Sequence, residues 1–130
     1  MVSFLPLMVP SRGEVGFSAP GIRQRSPQEV ITMKTGLLVR IEAEPEYADQ
    51  VEAALRGAQE LAEQERLTVT WFAFRQDATT FGVFDTFHDE QGRQSHLQGP
   101  IAAALGEMAQ TMLSSTPVVT RVDLLGVKVP

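Results

Sequence analysis

The chain has 130 residues, 43% of them hydrophobic and 21% charged, which suits one domain with a real core and is too short for two ordinary ones. It contains no cysteine, which excludes disulfides, a thiolate zinc site and a cysteine nucleophile and points to a reducing, cytoplasmic setting. Residues 36–130 carry fourteen Asp/Glu against seven Lys/Arg, which disfavours nucleic acid and anionic membrane as partners, and no apolar run approaches the ~20 residues of a spanning helix.

Residues 1–35 hold four of the eight prolines (Pro6, Pro10, Pro20 and Pro27) and show no helical or strand periodicity after MVSFLPLMV. Such a stretch buries too little apolar surface to offset its ordering entropy, so 1–35 reads as a disordered N-terminal tail. Pro6 and Pro10 interrupt the apolar run and no basic segment precedes it, which argues against a secretory signal. Because MKTGLLVRI opens directly into a strand, Met33 reads as the natural start, and the domain is expected over 36–130.

In GLLVRIEAE, Leu37, Val39, Ile41 and Ala43 alternate with Leu38, Arg40, Glu42 and Glu44, the period of a first strand. Pro45 suits the first position of a helix, and Tyr47, Val51, Ala54, Leu55, Ala58, Leu61 and Ala62 fall at three- and four-residue steps, which predicts a helix over 45–65. LTVTWFAFRQ and TTFGVFDTF follow, both rich in aromatic and β-branched residues. They predict a hairpin about Asp77 and Ala78 in which Trp71 faces Phe84 and Phe74 faces Phe81, with Trp71 on a central strand. HDEQGRQSHLQG predicts a short helix with Asp89 as its N-cap and Gly99 as its stop. Pro100 then opens a helix whose stripe is Ile101, Leu105, Met108, Ala109, Met112 and Leu113; Pro117 ends it, and VVTRVDLLGVKV supplies the last strand.

The order strand, helix, strand, strand, helix, strand predicts an α+β domain of the ferredoxin-like, split βαβ kind, with a four-stranded antiparallel sheet and both helices on one face. Val69, Trp71 and Ala73 alternate with Phe72 and Phe74, so both faces of the hairpin carry large apolar groups. The face without helices is expected to pack against a second copy, giving a homodimer through the open sheet face that encloses a cavity.

The segment FGVFDTFHDEQGRQSHLQGPIAAAL, with the strand order and the helix bearing His96, resembles the antibiotic biosynthesis monooxygenase family over residues 36–128. Its members are dimeric α+β barrels. The resemblance implies a cofactor-independent monooxygenase, with neither metal nor flavin, in which a quinol-like or polycyclic phenolic substrate is deprotonated and itself reduces O2. Such a reaction needs an aromatic pocket, a base and hydrogen-bond donors for the developing anion. Imidazole has an ordinary pKa near 6.5 and His96 matches a helix histidine of the family; it is the candidate base, or else it caps the turn at Gly99. Trp71, the only tryptophan, is a candidate substrate contact with Phe72 and Phe84, although a lone tryptophan in a sheet also serves as core. Asp85 stands alone in an apolar strand and needs a partner, either Arg40, Arg75 or Arg121, or a place at the cavity mouth as a second catalytic group. His88 reads as a solvated helix-start residue with no role.

Two histidines eight residues apart do not make a zinc motif, and there is no Walker loop or GxGxxG, so no metal or nucleotide is expected. Haem-degrading relatives use an asparagine on the first strand and a tryptophan at the end of the third. This chain has no asparagine, and its third strand ends in Phe87, which disfavours haem. A separate alternative is a non-catalytic dimeric barrel that binds a small apolar ligand or a partner.

Overall fold

The computed structural model describes residues 33–130, so the expected tail lies outside the described residues but for positions 33–35. Met33 is buried, and its sulfur accepts a 2.8 Å hydrogen bond from Thr86 Oγ1. The elements are β1 (Thr35–Glu42), α1 (Ala48–Glu63), β2 (Thr68–Arg75), β3 (Thr80–Phe87), α2 (Glu90–Leu97), α3 (Pro100–Thr111) and β4 (Val118–Asp123). The sheet order is β2-β3-β1-β4 with every pair antiparallel, the ferredoxin-like arrangement that the sequence predicts.

Alternation along the two inner strands sets the core. Leu37, Val39 and Ile41 of β1 and Phe81, Val83 and Phe87 of β3 turn to the side of the helices and are buried. Val51 and Leu55 of α1 and Leu113 pack onto Val39, Ile41, Phe81 and Val83 there. Each fully buried aliphatic or aromatic side chain of this set contributes about 1.5–3 kcal/mol.

Several boundaries differ from the sequence expectation for visible reasons. The helix expected over 45–65 is a 3-10 turn at Pro45–Tyr47 followed by α1, which ends at Glu63. The helix from Pro100 stops at Thr111, because Leu113 leaves it to bridge Ala43 beyond the end of β1. The last strand stops at Asp123 rather than continuing through 129; β1 begins at Thr35, and only the Leu124 N–H to Lys34 carbonyl bond extends the pairing.

The hairpin register is a correction. Trp71 faces Asp85 and not Phe84, Phe72 faces Phe84, and Phe74 faces Gly82 and not Phe81. The turn is one residue longer than expected: Gln76 N–H bonds to the Thr80 carbonyl, and the Asp77 carboxylate accepts from the N–H groups of Thr79 and Thr80 at 3.0 and 2.8 Å. Gly82 then accommodates the Phe74 ring, since an added Cβ would lie 2.3 Å from its Cζ. A bulge between Thr68 and Thr70 shifts the far end of the same pair. Trp71 is also not on a central strand, because β2 is an edge of the sheet.

The other sheet face carries Leu38, Phe72, Phe74 and Val118, which are 42–57% exposed in the single chain. Phe72 and Phe84 face each other across β2 and β3 on this side.

Candidate active site

Asp85 lies in the middle of β3, on the face covered by the helices, and is completely buried. A carboxylate in that position requires a partner, and α2 supplies it. Asp89 caps the helix by accepting the Gly92 N–H at 3.1 Å. Gly92 lets the helix approach the sheet closely, since a Cβ there would stand 3.0 Å from the Leu67 carbonyl and 3.3 Å from Phe87 Cβ. Arg93, itself buried, ties the helix to β1 and β4 by donating to the carbonyls of Gly36 and Val122 at 3.2 and 3.4 Å. One turn after Gly92, this anchoring places His96 under the sheet, 6% exposed, with its ring 5.5 Å from that of Phe87.

His96 is held on both sides. Its Nε2 stands 2.9 Å from Asp85 Oδ2, and its Nδ1 stands 2.7 Å from Glu65 Oε1. Thr68 Oγ1 donates to the same Glu65 oxygen at 2.8 Å. Burial alone would disfavour the imidazolium, but the hydrogen bond and charge of Asp85, reinforced by those of Glu65, outweigh it and raise the His96 pKa above its ordinary value of 6.5. A protonated ring suits a place with a carboxyl group on either side. Both Asp85 carboxylate oxygens and Glu65 Oε2 are buried without a well-aligned hydrogen bond among the described residues, and Oδ2 meets His96 Nε2 as a 2.9 Å charge contact.

A cleft of about 640 Å³ runs between α1 and the β2 edge. Leu55, Ala62, Trp71 and Phe81 line its apolar part, Glu65 borders its inner end, and Glu52 and Arg75 stand on its rim. Arg75 donates to Glu52 at 2.6 Å and holds the carboxyl below the usual carboxylate range, with help from Arg56. The indole Nε1 of Trp71 is buried and has no acceptor among the described residues. A buried N–H without a partner is rare and costly, and here it belongs to a residue on the cleft wall.

The sequence-predicted residues therefore divide. Asp85 and His96 are in contact, and Trp71 is the cross-strand neighbour of Asp85 on the same face. Phe72 and Phe84 belong to the opposite face, although Phe72, on the edge strand, also borders the cleft. The arginines expected beside Asp85 are elsewhere: Arg40 alternates to the open face, Arg75 pairs with Glu52, and Arg121 reaches Gln94 and Glu90. Glu65 was not singled out by the sequence. The one available signal was its place just past the C-terminus of a helix, where the helix dipole disfavours a carboxylate and some other interaction must hold it.

Among the described residues, no group of three or more His, Cys, Asp or Glu is placed to hold a metal ion. Asp85 and Glu65 lie on opposite sides of the imidazole instead of converging on a point. No helix of the described residues is long and apolar enough to cross a membrane.

No protein-family model matches the sequence, and no curated protein does either. Among solved structures, the NE2512 protein of unknown function from Nitrosomonas europaea is 47% identical, with 76% of this chain and 96% of that one covered and a TM-score of 0.74. A structure named as an antibiotic biosynthesis monooxygenase is 18% identical over 71% of this chain and 99% of its own, with a TM-score of 0.63. Rv0793 from Mycobacterium tuberculosis is 14% identical over 72% of this chain and 97% of its own, with a TM-score of 0.65. Three more matched structures carry the name of the antibiotic biosynthesis monooxygenases, at 11–19% identity.

Proposed function

We propose a function for a chain that belongs to the same family as the Nitrosomonas europaea NE2512 protein and has the fold of the antibiotic biosynthesis monooxygenases: it oxidises a quinol-like or polycyclic phenolic substrate with O2. The observation that carries this reading is the unpaired indole N–H of Trp71 on the wall of a cleft with apolar and charged lining. That donor suits an oxygen on a flat ring, and the bond it makes strengthens as the oxygen gains negative charge. The volume of the cleft lies within the range of small-molecule sites. Asp85 and His96 stand behind it as a proton-holding group.

In the proposed reaction the phenol loses its proton, and the electron-rich anion reduces O2. A ring C–H carbon becomes a carbonyl, as does the phenol carbon; one oxygen atom stays on the substrate, and the other leaves as water with the O–H and C–H hydrogens. The substrate supplies all four electrons. The residues bind the flat ring, exclude water and hold the proton.

Oxygen uptake with a panel of hydroquinones and anthrones tests the reading. Wild type is expected to turn over at least one, and Trp71→Phe to lose about 10–100-fold in kcat/KM, the worth of one hydrogen bond to a charged oxygen. Binding across the panel without oxygen uptake would leave a ligand-binding barrel and remove the enzyme.

The same reading includes a homodimer through the open sheet face, supported by the exposure of Leu38, Phe72, Phe74 and Val118 on that face. Light scattering is expected to give twice the chain mass for wild type and the single-chain mass for Phe72→Glu. A wild-type monomer at micromolar concentration would overturn the dimer.

A further inference from the structure

We infer that Glu65, not His96, is the group that takes the proton from the substrate, and that His96 and Asp85 are positioning residues that act through it; this rests on the phenol-oxidising reading of the cleft. Three observations carry the inference. Of the three titratable groups in contact, only Glu65 borders the cleft. Both ring nitrogens of His96 are taken up, one by each carboxylate, so the imidazolium has no lone pair to receive a further proton. Glu65 keeps one oxygen, Oε2, buried and without a partner among the described residues, while Oε1 accepts from Thr68 and His96. Oε2 is packed against Gly99, where an added Cβ would stand 3.3 Å from it.

The step balances in protons and charge. The phenol O–H bond breaks, the proton goes to Glu65 Oε2, and the electron pair stays on the substrate oxygen, which accepts from Trp71 Nε1–H. The buried group of two carboxylates and one imidazolium passes from a net charge of −1 to zero. The imidazolium remains, 2.7 Å from Glu65 Oε1, and its charge stabilises the phenolate left in the cleft. The charged groups that reach His96 are Asp85 from β3 and Glu65 from the segment after α1, while Arg93 on its own helix is turned to Glu90 and to strand carbonyls.

Ionisation of a bound chromogenic phenol tests this apart from turnover. The full chain is titrated with para-nitrophenol at a pH about one unit below the probe's own pKa, where free probe is mostly protonated. Binding is followed by quenching of Trp71, the only tryptophan, and ionisation by the visible absorbance of the phenolate. Wild type is expected to bind the probe as phenolate. Glu65→Gln is expected to bind within about threefold of wild type, yet to show at least about tenfold less bound phenolate relative to phenol. Quenching with no ionisation in wild type, or equal ionisation in Glu65→Gln, would overturn the inference and leave the function reading intact. Absence of quenching by para-nitrophenol and by the hydroquinone panel alike would overturn both. If circular dichroism shows Glu65→Gln unfolded, His96→Gln takes its place; it keeps Glu65, removes the cation, and is expected to lose bound phenolate to a similar degree.

Discussion

Asp85→Ala is expected to lower the unfolding free energy by about 3–5 kcal/mol, the cost of breaking a buried ion pair from one side. The carboxylate is wholly buried at the centre of an inner strand, and it faces a histidine that is itself nearly inaccessible. Removing it leaves the His96 cation with one carboxylate and a cavity in place of the other. Urea unfolding followed by circular dichroism measures the loss, which is a large share of the roughly 5–15 kcal/mol available to a domain of this size. Replacing Asp85 and His96 together by leucine and glutamine is expected to cost less than the sum of the two single changes, because each single change already removes the contact between them. A loss under about 1 kcal/mol in the single variant would mean that the pair holds little of the fold together.

His96→Ala is expected to lower the rate of oxygen uptake by about 10²–10⁴-fold, the usual range for loss of positioned proton transfer. The imidazolium is what allows two buried carboxylates to stand on either side of one ring, and without it Asp85 and Glu65 repel each other. The rate is measured with whichever hydroquinone the wild type accepts, and an unchanged rate would remove His96 from the chemistry. Stability should follow the same group. The folded-state pKa of His96 is raised above its unfolded value of 6.5, so the folded protein holds this proton more tightly. The stabilisation from this group is complete below that value and is lost as pH rises through the folded-state pKa. The difference in urea midpoint between wild type and His96→Gln should therefore shrink as the solution is made alkaline. A difference that grows with pH would reverse the assignment of charge to the ring.

The site and the fold were legible to different depths, and the division follows the range of the forces involved. The order of elements, the alternation along β1, the Asp89 cap and the Pro100 helix start could be read from spacing alone, because they depend on side-chain period and on neighbours within a few positions. The ferredoxin-like sheet followed from that order, and the resemblance in 81–105 pointed to the family fold that the matched structures share. His96 and Asp85 were both picked out, one as a titrating group on a polar helix and the other as a charge in an apolar strand.

Their pairing was not legible. Asp85 seemed to call for an arginine, and only the approach of α2 to the sheet, allowed by Gly92 and fixed by Arg93, set an imidazole against it. The hairpin register was missed by one residue because a carboxylate at Asp77 organises a longer turn than the sequence expectation assumed. Glu65 looked like any other acidic residue of its helix until the fold brought it within 2.7 Å of His96. The acidic composition noted at the outset excluded partners, and that was as far as a sum of charges could go. Which two of those carboxylates are buried around one histidine is a matter of distance in space, and the chain settles it only by folding.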